Sequence, residues 1–301
     1  MNSELHAFLT NKCFCSLVSH LLNTVLAVIE TSLLQRLATI ALRVGGRSKK
    51  DLYSNYLLLP FILHDIGKAL ELYQKNLLNH NYCYHEVFGA LITYKIVREH
   101  LLDKEELDAI DIKKLVPLIT YPVLYHHYAM RDIRKLVDAN KVMYERIIKN
   151  RNYLVVQTTT LSNILNELSE KLARDVATSK FKEISEWMLP DILRELKEAI
   201  ARSNSCLRFS RIDPQFRAFQ DKMLREYLGY LSGYKQSLRE LIEIHISSLT
   251  GLVNIADYLV AGIERRPCHE HGRERRGFVY RILSDEEIKK LAGKLVICRE
   301  L

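Results

Sequence analysis

The sequence is poor in residues that turn a chain, with 11 glycines and 6 prolines among 301 residues and a single tryptophan. So few turn-formers argue against the many short strands of a sandwich or barrel and for long helices. No CxxC pair occurs. The six cysteines (Cys13, Cys15, Cys83, Cys206, Cys268 and Cys298) are spread through a chain too large to need stapling, so they are expected to stay reduced, as in a cytosol. The segment Cys268-His269-Glu270-His271 finds no second Cys/His cluster to complete a metal site and is expected to be a polar loop. No GxxxxGK[ST] phosphate loop is present, which excludes a P-loop ATPase. No apolar run approaches the roughly 18 residues that a bilayer span requires. The apolar stretch after Lys12 is interrupted by His20 and Asn23 and continues in a helical pattern without a cleavage-site break, so neither a membrane span nor a secretory leader is expected.

What the chain has in quantity is leucine, isoleucine, lysine and glutamate at helical spacing. The expected class is all-α, as one enlarged domain over residues 1–301. A first helix is expected from about Phe14 to Leu42, closed by Gly45-Gly46, and a second from near Asp51, its N-cap, carrying Leu57, Phe61, His64 and Lys68 on one side. After an Asn-rich loop over 75–84, a third is expected from His85 to about Leu102 with Phe88, Gly89, Ile92 and Ile96 inward. A helix restarting near Pro122 would hold His126 and His127. Others are expected at about 131–149, 158–175, 179–202 (kinked or split by Pro190) and 214–232. The last, about 234–263, shows the clearest stripe: Leu238, Leu241, His245, Leu249, Leu252, Ala256 and Val260. The net charge of +8 and pI near 9.1 suit nucleic acid and would also suit a membrane surface. The densest basic runs, Arg47 to Lys50 and Arg265 to Arg276, are expected to be solvated faces or loops.

The informative text is LLLPFILHDIGKAL (Leu57 to Leu70), where His64 and Asp65 adjoin at the end of an almost wholly apolar run. Burying an imidazole and a carboxylate together costs several kcal/mol unless each is paired or bound to a cation, which points to a metal. Adjacent residues on a helix point about 100° apart, so the pair can straddle two ions with the carboxylate between them. Further ligands must come from other helices, and His20, His85, His126, His127 and Asp257 are the inward-facing candidates. Singly, each has an ordinary core or surface explanation. Together, five histidines and two aspartates on apolar sides of separate helices would make a poor core without cations, and facing helices routinely build dinuclear centres from such groups. Imidazole with carboxylate suits manganese, iron, cobalt or nickel, and the aspartates also admit magnesium.

The order His20, His64-Asp65 within HDIGK, His85, His126-His127 and Asp257 resembles the H…HD…H…HH…D order of dinuclear HD-superfamily enzymes. With HDIGKALELYQ, HEVFGA (His85 to Ala90) and the ADYLVAG around Asp257, the chain most resembles the stand-alone HD nuclease subunit of type I CRISPR interference, over about 17–130 and 245–262. That resemblance implies an HD helical bundle with its core at about 14–130 and 234–263; the helices at about 131–232 depart from it as an insertion, and 264–301 is expected as a basic extension. It implies one ion held by His20, His64, Asp65 and Asp257, a second by Asp65, His85, His126 and His127, and Lys68 facing the scissile phosphate. Asp65 and Lys68 would thus be the catalytic pair. It further implies a cytoplasmic nuclease that degrades single-stranded DNA, or RNA, by attack of a metal-activated water. Its partners would be an RNA-guided surveillance complex and a helicase on a separate polypeptide, since the chain ends at Leu301 without a phosphate loop. The interval before Asp257 would serve either as a docking surface or as padding of the bundle. Two rivals are an HD phosphohydrolase acting on nucleotides or cyclic dinucleotides and a catalytically silent HD scaffold. The text HHYAMRD, in place of the HHExxDGxGYP-like stretch of the cyclic-dinucleotide branch, argues against the first.

Overall fold

The computed structural model describes residues 5–9, 13–77, 85–127, 155–156, 158–176, 187–202, 207–208, 236–265, 268 and 283–300. Of the described residues 77% are helical and 5% strand, so the fold is all-α.

The expected first helix divides into a strand and two helices. Strand β1 (His6–Leu9) pairs antiparallel with β2 (Cys13–Ser16), which takes up the start of the predicted helix. α1 (Leu17–Ile29) is apolar nearly all round and buried along its length, which is stable only inside a protein. α2 (Leu33–Gly45) turns 79° away from it. The break falls at Thr31, whose Oγ1 donates to the Ala27 carbonyl at 2.6 Å and accepts from Leu33 N–H at 3.3 Å, satisfying groups that a helix end exposes. The Ser32 N–H donates to Glu287, 2.8 Å away on α11 (Asp285–Ala292). Gly46, at φ 75° and ψ 179°, closes α2 in a backbone conformation that L side chains rarely adopt.

The second expected helix is subdivided as well, into α3 (Lys50–Tyr56), α4 (Leu59–Leu63), a 3-10 turn (Ile66–Ala69) and α5 (Glu71–Asn76). Lys49, not Asp51, is the N-cap of α3. α6 (His85–Leu102) has the predicted bounds. α7 (Ala109–Tyr125) opens on a capping box of Asp108 and Asp111 and runs through both Pro117 and Pro122, so no helix restarts at Pro122. Burial of Leu115, Leu118, Ile119 and Val123 holds it together across the hydrogen bonds that proline removes. α8 (Thr158–Val176) matches its prediction, and Pro190 lies in the first turn of α9 (Leu189–Arg202), where its missing N–H is harmless, so it neither kinks nor splits a helix. The helices predicted at 131–149 and 214–232 lie outside the described residues. α10 (Gln236–Glu264) carries His245, Leu249, Leu252, Ala256 and Val260 into the core.

One hydrophobic cluster extends from α1 to α11 and takes in Leu161, Leu165 and Leu168 of α8 with Leu193 and Leu196 of α9. α8 lies against α1, and α9 against α6 and α3, where the Met188 N–H donates to Asn55 Oδ1 at 2.9 Å. These two helices therefore share the core of those that carry the candidate ligands. Short pairs β3 (Val155–Val156) with β4 (Leu207–Arg208) and β2 with β5 (Arg299–Glu300) complete the described strands. The stretch from Ile242 to Glu264 is, against expectation, long and apolar enough to cross a membrane, but half of it is buried in the bundle, as a core helix's would be.

The cysteines also depart from expectation. Cys13 pairs with Cys268 and Cys15 with Cys298, at Cα–Cα separations of 5.7 and 4.4 Å. Cys268 is thereby tied to β2, while the rest of the segment expected to be a polar loop, residues 269–271, lies outside the described residues, as do Cys83 and Cys206.

Candidate metal centre

Residues Leu57 to Leu63 are fully buried, and the chain leaves α4 at His64 and Asp65 in a turn rather than within a continuous helix. Asp65 takes φ −105° and ψ 8°, the sparsely allowed bridge region. What allows this turn to lie against α6 is a pair of glycines. A Cβ on Gly67 would fall 1.9 Å from the His85 carbonyl oxygen, and Gly89 faces the Gly67 nitrogen and the His64 carbonyl. The glycines of HDIGK and HEVFGA thus let two backbones approach, bringing Asp65 to the first residue of α6, His85.

All seven predicted ligands converge. Their ligand atoms form two groups, His20, His64, Asp65 and Asp257 in one and Asp65, His85, His126 and His127 in the other, each within 4.8 Å. Asp65 is common to both. Its Oδ2 lies 3.2 Å from His20 Nε2 and 3.5 Å from His64 Nε2, and its Oδ1 lies 2.8 Å from His85 Nε2 and 3.5 Å from His126 Nε2. Asp257 Oδ1 approaches His20 Nε2 at 3.2 Å and His64 Nε2 at 3.7 Å. His127 Nε2 stands 3.0 Å from His85 Nε2.

Several of these buried atoms (His20 Nε2, His64 Nε2, His126 Nε2 and Asp65 Oδ1) make no geometrically sound hydrogen bond although they face one another. Such a set is costly on its own and is satisfied by a cation. The outer ring nitrogens reinforce the fit. His64 Nδ1 donates to the Phe61 carbonyl at 2.9 Å and His126 Nδ1 to the Val123 carbonyl at 2.7 Å, which turns the Nε2 of each ring inward, the nitrogen that a metal ion would take. Burial, and then the charges of His126 and His85, hold His127 far below the usual histidine range, in the neutral form that ligates. Burial acts to raise Asp65, but the charges of Lys68, His64 and His85 outweigh it and keep the carboxylate ionised. Buried His/Asp groups that could hold a metal ion are therefore present.

Lys68 is not an exposed helix lysine. It is buried and ion-paired with Asp65 Oδ2, with its Nζ 5.9 Å from the Tyr73 ring centroid. Burial acts to lower its pKa, but Asp65 holds it above the ordinary lysine value. Among the seven candidate ligands His127 is the half-buried one, and Asp257, at 9%, is the most exposed of the buried six.

Glu264 was missed in the sequence. Its carboxylate, buried at the end of α10, accepts from His20 Nδ1 at 2.8 Å and from Asn23 Nδ2 at 2.6 Å. Asn23 in turn donates to the Val296 carbonyl and accepts from its N–H, at 2.8 and 3.1 Å. Burial acts against a charge on His20, but Glu264, Asp257 and Asp65 together hold its pKa well above the usual value. The signal was available, since Glu264 lies two turns past Asp257 on one helix face. Outer carboxylates of this kind orient a metal-binding ring, so Glu264→Gln is expected to weaken metal affinity about 10- to 100-fold. Titration against a competing chelator would measure this, and unchanged affinity would remove Glu264 from any supporting role. No family model, curated protein or solved structure matches the chain, so what this centre can do is argued from its own geometry.

Proposed function

We propose that this chain is a metal-dependent HD-type nuclease that hydrolyses the phosphodiester bonds of single-stranded DNA, with RNA as a second substrate class. The observation that carries this is Asp65, one carboxylate whose two oxygens each face a separate set of imidazoles. Such a bridge suits two divalent ions, drawn from manganese, iron, cobalt, nickel or magnesium. Bound there, such ions would polarise a phosphodiester, activate a water and stabilise the departing oxygen.

The protein's own residues supply the rest. His64 and His126 are held with Nε2 inward by backbone carbonyls, so the ligand frame is preorganised. Lys68 holds a positive charge beside Asp65, where it would oppose the negative charge growing on phosphorus oxygens. His127 is the half-buried ligand, and on its side a strand would enter. Nothing in this frame reads a base, so cleavage is expected to be independent of sequence. The net charge of +8 favours a polyanion, and binding is expected to weaken steeply with salt. In this reading the enzyme works in the cytoplasm, on strands that an RNA-guided surveillance complex exposes and a separate helicase feeds.

Side-by-side incubation with single-stranded DNA, RNA and cyclic dinucleotides, in manganese, nickel, cobalt or magnesium, tests the proposal. DNA degradation without sequence preference is expected, whereas hydrolysis of the small molecules alone would favour the nucleotide-directed rival. Lys68→Ala is expected to lower turnover on the order of 10²-fold with metal content unchanged. Loss of metal in that variant would assign Lys68 to holding Asp65 rather than to the chemistry.

A further inference from the structure

Four cysteines from three distant stretches meet in a second cluster. Cys13 and Cys15 alternate on β2, so both sulfurs leave the same face of the strand, and both residues are buried. Cys298 stands just before β5, which pairs with β2, and Cys268 follows the end of α10. Cys13, Cys15 and Cys298 form an apolar cluster of their own, separate from the main core, with Cys268 and Phe8 packed against it.

We propose that, in the reduced protein, these four sulfurs hold one zinc-class ion as a structural all-thiolate site distinct from the histidine–aspartate centre. This rests on the proposed function in one respect, that an enzyme acting on DNA inside the cell works where thiols are kept reduced. Four thiolates are a soft set that selects zinc over magnesium or calcium. Around a tetrahedral ion with metal–sulfur bonds of about 2.3 Å the sulfurs stand roughly 3.8 Å apart. Within the two pairs the Cα atoms stand 5.7 and 4.4 Å apart, and the pairs meet where Cys13 and Cys15, two residues apart, share one face of β2 with Cys298 in the same cluster. Conversion from the paired form balances. A dithiol or phosphine reductant delivers four electrons, four protons are taken up to give four thiols, and binding the ion releases those protons to solvent. The site braces the first centre from outside, because the Cys298 N–H donates to the Glu264 carbonyl at 3.1 Å and the Glu264 side chain holds His20.

The test uses full-length protein isolated with reductant. Zinc-edge X-ray absorption should show four sulfur neighbours at about 2.3 Å. Cobalt substitution should give sulfur-to-cobalt charge-transfer bands together with tetrahedral d–d bands. The histidine–aspartate centre supplies only nitrogen and oxygen, so the charge-transfer bands report the cysteines alone. They should persist in Asp65→Ala and fade in Cys268→Ser. The unsubstituted protein separates the two proposals: a sulfur signature there without DNA cleavage would sink the nuclease reading and leave this site standing. Cobalt bound by folded, reduced protein with no sulfur band, or an iron–sulfur chromophore in its place, would overturn the site. So would alkylation of free thiols at lysis followed by peptide mapping, if it recovered Cys13–Cys268 and Cys15–Cys298 already bonded in the cell.

Discussion

Asp65→Ala is expected to remove both ions and bring DNA cleavage below detection, because Asp65 is the one residue common to the two ligand groups. A variant at His64 or His127 takes a ligand from one group, whereas loss of Asp65 takes one from each. The same substitution strands the buried Lys68 ammonium, and breaking a buried pair costs about 3–5 kcal/mol, so the fold must be followed alongside the chemistry. Asp65→Asn keeps the shape and one oxygen while losing the charge, and separates the two effects. Metal stoichiometry by elemental analysis, thermal melting and turnover on a single-stranded substrate would be read together. Full activity with two ions retained in either variant would exclude Asp65 from the centre.

Gly67→Ala is expected to destabilise the protein by about 3 kcal/mol, the upper end of what overpacking does, because the new methyl meets backbone on both sides. Its Cβ would lie 1.9 Å from the His85 carbonyl oxygen and 2.7 Å from the Gly89 nitrogen, neither of which is the yielding tip of a side chain. Relief requires the start of α6 to move off the turn, which draws His85 away from Asp65. Affinity for an ion in the His85 group should therefore fall before the bundle melts. Gly89→Ala, whose nearest contacts begin at 3.3 Å, should be milder, by about 1 kcal/mol. A Gly67→Ala protein with wild-type melting and metal content would show that the two backbones have room to spare.

The histidines and aspartates were legible because each sits on an apolar run where a polar group needs a reason, and their order along the chain could be compared with a known pattern. α6 was legible to the residue, since an Asn-rich stretch of sequence gives way at His85 to an apolar stripe. The break between α1 and α2 was not, because Leu33 falls in helical step with Val25 and Ile29 and the signal is only the Thr31 hydroxyl acting on its own backbone. Two prolines inside α7 were read as a boundary, yet the burial of that helix overrode local propensity. Glu264 looked like a helix-end carboxylate, and its role depends on α10 crossing α1. The cysteine cluster was the least visible feature. Its members stand 255 and 283 residues apart in the two pairs, and no local spacing carries a contact of that range.

The two ligand groups differ in how they are stitched into the chain. One is complete between Asp65 and His127, whereas the other waits for Asp257, contributed by a helix near the far end. On a ribosome the first set has left the exit tunnel while α10 is still being synthesised. The two ligand groups are therefore completed in an order imposed by translation, the set between Asp65 and His127 before the set that needs Asp257.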